Sequence, residues 1–139
     1  MKKIILILTF GLLICKNNEM NNLLEHLKPF EPYIGKTFKG EFAHSTKESP
    51  VFDISFWERI LNGMGIKITH SVNDGEYGGI SIITWDENKN SLVSSYFTTA
   101  GFTTNALMHF EDGKLISLED VTGNENGITK IKAIIQFLE

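Results

Sequence analysis

Apolar and polar positions alternate through most of this chain, and the alternation is clearest between positions 75 and 102. Ile80, Ile82, Ile83 and Trp85 precede a polar turn at 86–90, and Leu92, Val93, Tyr96 and Phe97 follow it. Both runs are rich in β-branched and aromatic residues, which suit a pleated, partly buried surface. Upstream, Phe52, Ile54 and Phe56 alternate with Asp53, Ser55 and Trp57, and Ile66, Ile68, His70 and Val72 share one face. Downstream, 103–110 and 114–121 flank a Glu-Asp-Gly turn, and Ile131, Ala133, Ile135 and Phe137 share a face of the last run, 128–137. A first strand is expected over 36–44, followed by a polar connection at 45–50. Asn62-Gly63 and Asn73-Asp-Gly75 supply further corners. The expectation is about eight strands with short connections and no intervening helices. Such meanders close on themselves or pack face to face, because an open sheet leaves pairing edges bare. The predicted fold is all-β, an antiparallel up-and-down barrel of about eight strands. It is either closed or left incompletely closed after the final apolar strand.

The first 34 residues read differently. Lys2-Lys3 and the apolar run 4–14 have the form of a secretory signal, too short to span a bilayer comfortably. Cys15 follows Leu12-Leu13-Ile14, an arrangement that resembles the lipobox of bacterial lipoproteins, although that motif has a small residue where Ile14 stands. Cys15 is therefore a candidate lipidation site, and the mature protein is expected to be exported, either periplasmic or anchored to the membrane through that lipid alone. Positions 20–33 hold a short helical pattern, with Leu23, Leu24 and Leu27 on one face, expected to end at Pro29 and Pro32. The domain reading is a leader at 1–15, a short linker or helix at 16–34, and the barrel at 35–139.

Charge and composition narrow the function. The 139 residues carry a net charge of −4 and no Lys/Arg cluster, which argues against a nucleic-acid partner. A single cysteine excludes an intrachain disulfide. There is no Gly-x-Ser-x-Gly elbow and no His-Glu-x-x-His spacing, so neither a catalytic set nor a metal site is expected.

Four stretches carry a family likeness: the Gly35–Gly40 start with its central Phe38, the Trp57-Glu-Arg-Ile-Leu-Asn-Gly63 turn, the Gly75-Glu-Tyr-Gly-Gly79 segment, and the Trp85-Asp86 strand end. Together they resemble calycin-like bacterial β-barrel domains of uncharacterised function, near the nitrobindin and lipocalin-like groups, over 35–137. The resemblance implies an up-and-down barrel around a cavity. Nitrobindin-like haem proteins take an axial His from near the barrel's end, and this chain has none in its last thirty residues. Haem is not carried over, and no cofactor is expected.

Within a small barrel, a few polar groups converging in an apolar pocket are the usual recognition pattern. His70 sits on an apolar face, where an imidazole is either a satisfied core residue or a ligand contact. Arg59 alternates with Trp57 and Leu61; pointing inward it would suit a carboxylate head group, and at the rim it would pair with Asp53 or Glu58. Tyr96 offers a hydroxyl. Trp85 offers a large aromatic surface that packs a core or lid with or without a ligand. The candidate ligand contacts are thus Arg59, His70, Trp85 and Tyr96. The leading expectation is an exported barrel that binds a small apolar or amphipathic molecule. The alternatives are an isomerase- or cyclase-like enzyme using His70 and Arg59, and a structural or interaction domain at the cell envelope.

Overall fold

The structure, a computed structural model, describes residues 22–42, 44–123 and 125–136. The expected leader and Cys15 lie outside the described residues. Eight strands follow one another: β1 (Thr37–Glu41), β2 (Phe52–Ile60), β3 (Gly65–Val72), β4 (Tyr77–Asp86), β5 (Ser91–Thr98), β6 (Thr103–Glu111), β7 (Lys114–Thr122) and β8 (Lys130–Gln136). Each pairs antiparallel with the next, in the order β1 to β8. The all-β up-and-down reading holds, and the sheet is a curled half-barrel whose two edges are β1 and β8.

Local chemistry explains the sharp corners. The β2–β3 turn places Leu61 and Asn62 at φ 52° and 53°, the β3–β4 turn places Asn73 and Asp74 at 44° and 56°, and the β6–β7 turn places Asp112 and Gly113 at 47° and 72°. Asn, Asp and Gly tolerate this left-handed region, which matches the right-handed twist of the flanking strands. Leu61 has no such excuse and costs about 1–2 kcal/mol.

One face of the sheet is closed by a segment that propensity alone would not call helical. Glu25–Tyr33 forms a 3₁₀ helix that contains both Pro29 and Pro32, where the sequence reading had them end it. The reason lies in the period. Three residues per turn line up Leu24, Leu27, Phe30 and Tyr33 on one side and His26, Pro29 and Pro32 on the next. Proline's fixed φ fits a 3₁₀ helix, and both prolines stay exposed. Leu27 and Phe30 are fully buried. They join Leu23, Trp57, Ile66, Ile83, Leu92, Ala106, Met108 and Leu115 in the main core. The Phe30 ring lies 5.2 Å from that of Phe110 and 6.1 Å from that of Trp57, the spacing of favourable tilted aromatic pairs. Backbone bonds tie the segment down at both ends, Leu24 N to Gly63 O (2.9 Å) and Gly35 N to Trp57 O (2.8 Å). Gly63, at φ 92°, has no room for a Cβ, which would sit 2.0 Å from the Asn22 carbonyl oxygen.

Burial decides which phase of each strand looks inward. On β3, Ile66, Ile68, His70 and Val72 share the inner face as the pattern indicates. On β2 the more apolar phase looks outward: Ile54 and Phe56 are about two-fifths exposed, while Trp57 is buried and brings Asp53 and Ser55 to its own face. The helical segment rewards the large indole at one inner position more than three apolar side chains spread along the outside.

Candidate functional site

The inner face has two unlike ends. At one, the 3₁₀ helix packs on aromatic and aliphatic side chains. At the other, alternation delivers polar residues from every strand between β2 and β7. Strand register sets them side by side: Ser55 faces His70, His70 faces Gly79, Val72 faces Tyr77, Ser81 faces Tyr96, and Tyr96 faces Thr104.

A continuous hydrogen-bonded chain runs through this end. Asp53 Oδ1 lies 2.8 Å from His70 Nδ1, His70 Nε2 lies 2.5 Å from Tyr96 Oη, and Tyr96 Oη lies 3.0 Å from Tyr77 Oη. Gly79 beside it makes the geometry. A Cβ on Gly79 would fall 2.5 Å from the Tyr96 ring and 2.2 Å from the Phe97 carbonyl oxygen, so a side chain there would push the phenol off β4 and away from His70. Gly79 is therefore the floor on which Tyr96 lies.

A second carboxylate faces the same end. Glu119 accepts hydrogen bonds from Thr104 Oγ1 (3.0 Å) and Ser117 Oγ (3.2 Å), and both donors are buried. Burial pushes the Tyr96 phenol well above the usual tyrosine range. The bond to Tyr77 and the negative charges of Asp53 and Glu119 push it the same way. Tyr96 is thus held as a neutral hydrogen-bond donor and acceptor, not a phenolate.

The chain of groups can relay a proton. With the imidazole neutral, Nδ1–H donates to Asp53 and fixes the tautomer, leaving Nε2 to accept from Tyr96. With it protonated, both ring nitrogens donate, and the Tyr96 hydroxyl turns to donate to Tyr77. A cleft of about 630 Å³ opens between β1 and β8, lined by Gly40, Phe42, Asp53, Ile134 and Ile135 among others. The Asp53 side chain keeps 30% of its surface exposed.

Of the four residues singled out by sequence, the structure joins His70 and Tyr96 directly. It sets Arg59 and Trp85 at the opposite end. Arg59 pairs in register with Ile66, four positions before His70 and about 13 Å along the strand. It borders a cleft with Leu23, Glu31 and Ile34 beside the helical segment. The rim pairings considered for it go elsewhere: Asp53 takes His70, and Glu58 takes Lys67. Trp85 is stacked on His26, ring centroids 3.6 Å apart and 5° from parallel, and its Nε1 is buried with no acceptor among the described residues. Another cleft, about 540 Å³, runs along Thr69, Ile80, Ile82 and Phe97 and is lined also by His70 and Tyr77 of the polar chain.

Sequence reasoning passed over Asp53 as the partner of His70, and over Tyr77 and Glu119. A signal existed. Asp53 shares the phase of Trp57, Tyr77 that of Ile83 and Trp85, and Glu119 that of Leu115. Reading phase from the largest aromatic of the strand would have turned Asp53 and Tyr77 inward, whereas β7 has no aromatic to set the phase of Glu119. Among the described residues no His/Cys/Asp/Glu group has the arrangement of a metal site, and no helix is long and apolar enough to cross a membrane. No family model matches the chain, and no curated protein or solved structure matches it.

Proposed function

We propose that this protein is a binding module for a small amphipathic molecule, held against the inner face of a calycin-like sheet and read by the polar chain Asp53–His70–Tyr96–Tyr77. The single observation that carries the reading is that chain itself. Four polar side chains from four strands converge on one half of the inner face, while the other half is filled by the helical segment. A fold needing only a solid core gains nothing from bringing Asp53 and Glu119 inward, since each must be desolvated and then re-satisfied. A recognition site needs such groups.

The signal-like start and Cys15 support an exported protein, tethered to the membrane if that cysteine is acylated. Mass analysis of the mature amino terminus from the native host separates acylated, cleaved and uncleaved forms.

Native mass spectrometry of protein from its source tests the binding reading. The expected result is a mass increment released on denaturation and reduced in a Tyr96→Phe variant. An unliganded mass in every preparation, with no shift on adding amphipathic probes, would overturn it.

One observation favours a second reading, acid–base catalysis: the carboxylate–imidazole–phenol order places a tautomer-fixing group, a base and a neutral acid in sequence. Arg59 has no part in it. A binding module releases its ligand unchanged, whereas an enzyme of this kind exchanges a carbon-bound proton with solvent, so deuterium incorporation into a recovered ligand decides between them.

A further inference from the structure

The seam between the sheet edges has features that specify what it accepts. Gly40 and Asp53 are register partners on the inner phase of β1 and β2. Glycine there leaves the carboxylate uncovered from the side of β8. A Cβ built on Gly40 meets nothing within 4 Å, and the backbone is in an ordinary region, so neither space nor strain demands a glycine at this position. A large side chain in its place would stand in the cleft that Gly40 and Asp53 line together.

The carboxylate is only half used. Oδ1 is bonded to His70, while Oδ2 has no hydrogen-bond donor among the described residues. Among the described residues no Lys or Arg lines this cleft. Lys39, on the neighbouring phase of β1, sits over the Phe52 ring with its Nζ 3.8 Å from the centroid. Lys130 is bound to Asp120. Lining the cleft beside Asp53 are a second carboxylate, Glu41, the amide of Gln136, and apolar surfaces of Phe42, Ile134 and Ile135.

From this we infer that the seam is the mouth of the binding site and that its ligand has a hydrogen-bond-donating cationic head on an aliphatic body, as in a primary alkylamine. The ammonium meets Asp53 Oδ2, and the aliphatic part lies along Phe42, Ile134 and Ile135. A carboxylate head is repelled by Asp53. A neutral alcohol can donate one bond to the carboxylate but brings no opposite charge to pair with it. The inference rests on the binding reading above and adds to it a point of access and a head-group class.

The test uses three probes with one chain length, n-octylamine, 1-octanol and octanoate, titrated below their aggregation concentrations into the full mature protein by calorimetry or NMR. The amine is expected to bind at least about tenfold more tightly than either of the others. In the series Gly40→Ala, Gly40→Leu and Gly40→Trp, amine affinity is expected to fall with side-chain size, by about tenfold or more at Trp. Circular dichroism and the thermal midpoint establish that each variant is folded. Asp53→Asn is expected to reduce the preference for amine over alcohol severalfold, and Glu41→Gln to reduce it less. Equal or tighter binding of octanoate or octanol overturns the head-group class. Full amine affinity in a folded Gly40→Trp variant overturns the seam as the mouth. Binding of none of the three overturns the binding reading itself, so the failures are distinguishable.

Discussion

The two ends of the inner face use the same strands for opposite purposes. At the helical end, Trp57, Ile66, Ile83 and Leu92 bury against Leu27 and Phe30, and the gain is apolar area removed from water. At the other, Asp53, His70, Tyr96 and Glu119 take up inner positions of the same β2, β3, β5 and β7, and each must be hydrogen-bonded merely to avoid a penalty. A few residues along each strand separate the two regimes. The contrast indicates that the helical segment stabilises the sheet, and that the polar end is carried by stability generated elsewhere.

That contrast can be broken most severely at Phe30. Replacing this fully buried ring by alanine is expected to cost about 3–5 kcal/mol, read from denaturant unfolding. A loss below about 1 kcal/mol would mean that the segment is an ornament and the sheet stands alone. Next is Gly79→Ala, where the new methyl meets the Phe97 carbonyl and the Tyr96 ring. It should cost about 1–3 kcal/mol and shift the His70 ring resonances, because the phenol must move off its floor. If those resonances stay put, the glycine does not position Tyr96.

Tyr96→Phe is a smaller change, expected at about 1 kcal/mol. Its sharper signature is in alkali. The folded protein holds the Tyr96 proton beyond the ordinary tyrosine value of 10.0, whereas the unfolded chain releases it there. The folded state therefore binds more protons above that pH, and stability declines as pH rises through it. The variant should lose this share of the slope, and an unchanged slope would exclude Tyr96 as its source. Smallest of all is Lys130→Ala, which breaks a 3.0 Å bond to Asp120 between two largely exposed side chains. Its effect should lie within about 0.5 kcal/mol, and a larger one would mean that the β7–β8 edge depends on that pair.

Much of the architecture was legible because turn chemistry is local. Asn62-Gly63, Asn73-Asp-Gly75 and Asp112-Gly113 announce their corners without help from distant residues, and with corners fixed the strands between them follow. The helical segment was less legible. Its prolines argue against an α-helix, and its actual period of three emerges only when Leu24, Leu27, Phe30 and Tyr33 have a sheet to pack on. The candidate site was half legible. His70 and Tyr96 stand out by type and phase, but their link needs a register and a glycine floor that no single strand displays. Arg59 and Trp85 share the inner phase, yet position along a strand, not phase, decides which end a residue serves. On β2, three apolar residues in the outward phase outvoted Trp57 in the pattern, although the single indole buries the area that matters.

The parallel stack of His26 on Trp85 also has an optical consequence. An indole whose nitrogen is shielded from water emits toward the blue. Trp85, together with Trp57 packed on Phe30 of the same segment, is therefore expected to emit toward the blue while the 3₁₀ segment is seated and to redden when it lifts. The chain thereby reports the docking of its own amino-terminal cover without any added dye.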